Sequence, residues 1–288
     1  MKRNLLKIIP VAILLLFVTG CKKDKNVTNV TLDKNNITLE IGETATLKAT
    51  VYPADAANKV VKWESSSPTV ADVVNGIITA KEVGKTTITV ITEDGNFTAE
   101  CVVIVTPEWV EISGVKWAKR NVDMPGTFAA NPEDAGMFYQ WNRIVGWSST
   151  DPMISSNGDT IYYKIPNDPG DSWNNDNDPC PIGWRVPTIY ELESLIGAGT
   201  EWTTLNGVNG RIFGTGDNTI FLPAAGAREY YQGFLFGIGE NGQYWSNSLR
   251  GMYEIQYLGF DTSDHFTLCQ GSYSLLYSLG FSVRCVAE

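Results

Sequence analysis

The run Asp178-Pro179-Cys180-Pro181-Ile182-Gly183-Trp184-Arg185-Val186-Pro187-Thr188 constrains this chain more than any other. A cysteine held between two prolines, a Gly-Trp, and a Pro-Thr that opens a helix form an ordered constellation that chance composition rarely produces, and each proline fixes φ and removes a donor. Thr188 followed by Glu191 predicts a capping box, Ile189, Leu192, Leu195 and Ile196 give an apolar stripe, and Gly197 is the expected stop. Glu191 is therefore read as a helix cap and not as a catalytic acid. Near the C-terminus, Phe281-Ser282-Val283-Arg284-Cys285-Val286 answers this run with a second cysteine.

Further pieces occur in order: Trp117-Ala118-Lys119-Arg120-Asn121-Val122, Met137-Phe138-Tyr139-Gln140-Trp141, Phe221-Leu222-Pro223-Ala224-Ala225-Gly226 and Tyr244-Trp245-Ser246-Asn247-Ser248. Together these motifs resemble the Fibrobacter succinogenes major paralogous domain, a secreted bacterial module grouped with the C-type-lectin-like and formylglycine-generating-enzyme-like folds. The resemblance covers nearly everything after Pro107. It implies a loop-rich α+β domain whose two ends come together.

Met1 to Asn4 carries positive charge, and Leu5 to Val18 is an apolar run too short for a stable membrane span, so residues 1–20 read as an export signal. Gly20-Cys21 resembles the bacterial lipobox, which implies lipidation at Cys21 and a tether over residues 21–26. Lys22, in place of Asp, lacks the inner-membrane retention signal, so the expected address is the outer membrane, facing outward. The membrane partner is thus reached through a lipid anchor.

The formal net charge is −10; removing Lys2, Arg3 and Lys7 takes it to −13 (−10 minus 3), which repels nucleic acid and excludes it as a partner. Residues 107–288 hold 10 Lys and Arg against 21 Asp and Glu, or −11. Of the five cysteines, Cys21 is assigned to lipid, and Cys101 shares a strand face with Phe97, Ala99, Val103 and Val105, which predicts a buried free thiol. The domain resemblance pairs Cys180 with Cys285, since both lie in its motifs; a Cys269–Cys285 bridge is the alternative.

Residues 27–106 read as strands throughout. Ala45, Leu47, Ala49 and Val51 alternate with Thr44, Thr46, Lys48 and Thr50 up to Pro53, and Asn75-Gly76 is a two-residue hairpin signal. Thr86–Val90 and Phe97–Val105 supply further strands around the turn Glu93-Asp94-Gly95-Asn96. About seven short strands suit an immunoglobulin-like sandwich. Val60 with Lys62-Trp63-Glu64-Ser65-Ser66, Val70–Val73, Gly76–Ala80 and Gly84–Val90 resemble the bacterial Ig-like domain, group 2, which implies a stalk. The expected fold is mainly β with a small α+β part: an Ig-like sandwich over residues 27–106, then a C-type-lectin-like domain over 107–288.

Eight of the nine tryptophans follow Pro107, and Tyr162, Tyr163, Trp173, Trp202, Tyr230 and Tyr231 fall in predicted loops, where they are the candidate ligand contacts. Asn174, Asp176 and Asp178 alternate in a loop rich in calcium-type oxygens and are the candidate metal ligands, although the loop lacks the glycine and distant glutamate of an EF-hand. Trp173-Asn174-Asn175 only partly matches the sugar-binding C-type-lectin signature, and no Glu-Pro-Asn or Gln-Pro-Asp occurs. The lone histidine, His265, stands four residues before Cys269 with no orienting acid identified, so no catalytic residue is assigned.

The sequence thus reads as a lipid-anchored surface protein in which a stalk presents a domain that binds a glycan or protein. The alternative is a subunit of a fimbrial or surface assembly; an enzyme is the third reading. Mass spectrometry of the membrane fraction is expected to find an acylated N-terminal peptide beginning at Cys21; an unmodified N-terminus elsewhere would reject this processing.

Overall fold

The computed structural model describes residues 25–162, 173–250, 254–263, 266–268 and 276–288. They fall into two compact units divided between Thr106 and Pro107. Cys21, Tyr163, His265 and Cys269 lie outside the described residues.

In the first unit, one sheet runs in the order Asn36–Glu40, Thr98–Thr106, Gly84–Thr92 and Val61–Ser65, with only the first pair parallel. A second sheet places Ile77–Ala80 between Thr44–Thr46 and Ala71–Val74. Alternation along the strands drives Leu39, Ile88, Val103 and Val105 of one sheet against Ala71, Val73 and Ile78 of the other, which makes a shared apolar core. Cys101 is a buried free cysteine within that core, and burial pushes its thiol pKa up.

Val74 pairs with Ile77 across Asn75 (φ 52°) and Gly76 (φ 81°), the positive φ pair that a two-residue hairpin requires. A Cβ on Gly76 would lie 2.6 Å from the Leu47 carbonyl oxygen. The strand expected from Thr44 to Val51 is in fact two. Thr44–Thr46 pairs with Ile77–Ala80, whereas Ala49–Tyr52 pairs with Asn29–Leu32. The chain changes partners at Leu47 and Lys48, whose amides donate to Gly76 O and Asp33 Oδ1 at 2.8 Å each. Alternation in burial survives this break, which is why the sequence reads as one strand.

In the second unit a four-stranded sheet runs Trp109–Ile112, Val115–Ala118, Val286–Ala287 and Trp184–Arg185, so the C-terminal strand lies beside the first hairpin. Cys180 and Cys285 form a disulfide across a sequence separation of 105. Closing a loop of that length stabilises by roughly 4–5 kcal/mol in the chain-entropy model. Two three-stranded meanders follow: Thr200–Leu205, Val208–Thr215 and Asn218–Pro223, then Gly242–Arg250, Glu254–Phe260 and Phe266–Leu268. The strand period of two sorts neighbours between two cores. Trp117, Tyr244 and Val286 enter one, and Ala118, Trp245 and Cys285 the other.

The helix spans Ile189–Gly197 and carries the capping box of Thr188 and Glu191, burying Ile189, Leu192 and Leu195. Gly197 does not stop it by leaving the helical region. Ala198 is still αR, and the turn comes at Gly199, with φ 99°.

The sequence motifs meet around Arg284, which is fully buried. Its Nε donates to Asn121 Oδ1 (2.9 Å), Nη1 to Ala118 O (3.1 Å) and Nη2 to Phe221 O (3.0 Å). Asn121 Nδ2 donates in turn to Ala135 O (3.1 Å) and Tyr244 Oη (3.3 Å), and Tyr244 Oη donates to Pro223 O (2.9 Å). Burial pushes the guanidinium pKa down to about 10 and the phenol up to about 12. Replacing Arg284 by Met leaves three acceptors without a donor. Chemical denaturation of Arg284→Met is expected to show a loss of roughly 3 kcal/mol or more, with Arg284→Lys recovering only part; a loss below 1 kcal/mol would contradict the role given to this network.

Candidate functional site

Three of the candidate aromatics belong to the core. Tyr162 is buried, donates through Oη to Ser278 O (2.9 Å) and packs on Trp147 at 4.9 Å. Trp173 is buried, meets Trp141 edge-on at 5.4 Å and donates to Asn177 O at 3.2 Å. Trp202 is half-buried against Phe260 at 6.4 Å. Their large apolar surfaces fill a domain rich in loops, which removes Tyr162 and Trp173 from the solvent-facing surface. Tyr230 and Tyr231 are exposed.

The oxygen-rich loop is organised by its own backbone. Asn174 caps a short 3-10 turn by accepting from Asp176 N (3.0 Å). Asp178 accepts from Cys180 N (2.9 Å) and Val186 N (3.0 Å), which clamps the Cys-Pro segment. Burial raises its pKa against the pull of those two amides. Asp176 is exposed. Among the described residues no group of three or more His, Cys, Asp or Glu is placed to hold a metal ion.

A cleft of about 670 Å³ opens elsewhere on the second unit. Its walls come from five stretches: Asp123, residues 129–136 with Glu133 and Asp134, Ser149-Thr150, Gly207-Val208-Asn209, and Ile238-Gly239, over a floor of Pro223-Ala224-Ala225. The Arg284 network lies directly behind it. Asn121 Nδ2 holds Asp134 O (3.4 Å) and Ala135 O (3.1 Å), and Tyr244 holds Pro223 O (2.9 Å). The Tyr139 hydroxyl donates to Asp123 O. Gly136 (φ 66°) is required because a Cβ there would lie 2.1 Å from Val122 O.

Beside the cleft runs the hairpin in which Ala227–Arg228 pairs with Leu235–Phe236. Tyr231, Phe234 and Ile238 are 65%, 64% and 58% exposed, three large apolar side chains left in solvent along one short stretch. Arg228, buried at its base, holds it. Nε donates to Ser148 O (2.7 Å), Nη2 to Thr150 O (2.8 Å) and Nη1 to Gly233 O (2.5 Å), so one guanidinium fixes both the hairpin and the Ser149-Thr150 wall. Burial lowers the Arg228 pKa, against the pull of Asp151 at 3.4 Å.

Sequence reasoning missed this cleft. Its walls come from segments far apart in the chain with no shared periodicity; the legible trace was the small-residue run Pro223-Ala224-Ala225, which forms the floor.

Residues 26–103 match the bacterial Ig-like domain (group 2) family, and the first unit is such a domain. An uncharacterized protein of Clostridium acetobutylicum is 47% identical over 143 residues, which is 48% of this chain and 14% of that protein. An Ig-like virion protein of Serratia phage KSP90 is 44% identical over 81 residues, 27% of this chain and 31% of its own length. The chain spans 14%, 20% and 31% of the lengths of the first three curated relatives it matches. Among solved structures, domains 4 and 5 of the S-layer protein SbsC share 20% identity across 28% of this chain and 52% of theirs, with a TM-score of 0.25.

Glu191 takes a structural role. Burial alone would raise its pKa, but Arg185, donating through Nη1 (2.9 Å) and Nη2 (2.6 Å), and Thr188 N (2.7 Å) hold it below the usual 4.5. A depressed folded pKa gives stability that is present above the unfolded value and lost as pH falls through the folded one. Glu191→Gln is expected to cost about 1 kcal/mol at pH 7, and denaturation curves for the two chains should converge as acid protonates Glu191; a cost unchanged at acid pH would show that the ion pair contributes nothing.

Proposed function

We propose that this chain is a surface-displayed binding protein: the Ig-like domain acts as spacer, and the second unit recognises a glycan or a protein at the cleft and its adjoining hairpin without transforming it. The observation that carries this reading is the pairing of a concave cleft with exposed aromatic rings, both braced by Arg228. Rigid loops on a braced scaffold are where recognition residues are expected. The Ig-like likeness to a virion protein, and the export signal read at residues 1–20, support display outside the cell. Lipidation at Cys21, an outer-membrane address facing outward, and kinship of the second unit with the lectin-like Fibrobacter succinogenes domain complete the proposal.

A second reading, a subunit of a surface assembly, is favoured by the exposure of Tyr231, Phe234 and Ile238. The deciding experiment applies the mature chain to glycan and protein panels with and without a chelator, alongside sedimentation at rising concentration. Binding that falls about tenfold or more in Tyr231→Ala/Phe234→Ala supports recognition. Self-association lost in that variant, with no ligand captured, supports assembly; turnover of a captured ligand sinks the non-enzymatic reading.

A further inference from the structure

We propose that the cleft takes an extended polypeptide segment bearing a lysine or arginine side chain. This rests on the binding reading above and names the ligand class for the same site. Charge comes first. Residues 107–288 carry 21 acidic against 10 basic residues, and three of those ten, Arg211, Arg228 and Arg284, are buried with their guanidiniums turned to interior carbonyls. The surface is therefore more acidic than the sequence count, and Asp123, Glu133 and Asp134 carry that excess into the cleft walls. A cation is attracted there and an anion repelled.

Shape and backbone argue for a polypeptide. Eight of the 17 lining residues are alanine or glycine, which let another main chain approach closely. Ala224 N donates to Asn209 O and Gly226 N to Asn241 O, at 2.8 Å each. Between them Ala225 is buried, yet its own N–H and C=O join no hydrogen bond among the described residues. A donor and an acceptor left open on one residue of a cleft floor match what one residue of an extended strand offers. A sugar satisfies such a pair less directly than a peptide unit does.

The test uses the mature chain and two fluorescent peptides of alternating lysine and alanine or glutamate and alanine, with a glucosamine oligomer as a cationic sugar. Anisotropy is expected to show binding of the lysine peptide and none of the glutamate peptide. Asp123→Asn, and Ala130→Trp, which fills the cleft from an exposed position without changing charge, should each weaken binding about tenfold or more at unchanged melting temperature. Lysine-peptide binding that survives Ala130→Trp is ion pairing spread over the acidic surface and overturns the proposal. Tighter capture of the glucosamine oligomer, or of a neutral glycan lost in Ala130→Trp, also overturns it while leaving the binding reading intact. No ligand from any panel overturns both. Should Ala130→Trp fail to fold, Asp123→Asn decides alone.

Discussion

The second unit depends on a cation placed where no water reaches it. Arg284 is buried with no carboxylate partner among the described residues; its charge is met by two main-chain carbonyls and one side-chain amide, drawn from Ala118, Phe221 and Asn121. Desolvation pushes its pKa down to about 10, which still leaves it protonated at neutral pH. The planar fork explains why arginine suits the position: its donors reach three acceptors in fixed directions, where an ammonium would hold a single point. One side chain thus ties the first strands of the unit, its middle and its last strand, and the Cys180–Cys285 bridge secures the neighbouring backbone covalently.

The same device recurs. Arg211 reaches Asp261 O at 3.2 Å and also donates to Ser263 O, joining the first meander to residues that follow the middle strand of the second. Arg228 joins its hairpin to Ser148 and Thr150. A domain whose described residues form one α-helix of nine residues and several two-residue strands has few long ladders to satisfy its main chain. Buried guanidiniums supply donors where regular pairing ends, and each buried carbonyl so paired avoids a penalty of about 1–3 kcal/mol.

Local features were the legible ones. Asn75-Gly76 specifies its hairpin because both residues accept positive φ, and Thr188 with Glu191 specifies a helix start because the two caps are reciprocal. Cys101 follows from strand alternation alone. What the chain does between distant segments was not legible. Tyr162 and Trp173 sit in irregular stretches, so they resemble loop contacts in sequence, yet each ring fills interior space beside a tryptophan. The oxygens of Asn174 and Asp178 look like a ligand series but are committed to the amides of Asp176, Cys180 and Val186.

The motifs themselves carry the clearest lesson about where function resides. Asn121, Phe221, Tyr244 and Arg284 each lie in a different motif, and all meet in one buried network. Their demand is structural: each supplies a donor or acceptor that another must have. The cleft lies on the far side of that network, and of its lining only Pro223-Ala224-Ala225 belongs to a motif. Asp123, Glu133, Ser149, Asn209 and Ile238 come from the segments between the motifs, and they line the opening while the network fixes the backbone behind it. A scaffold of this kind can change what it recognises by changing loop residues that make no demand on the core. Sharing the motifs therefore implies sharing the scaffold, and a ligand has to be argued from the loops that each chain sets upon it.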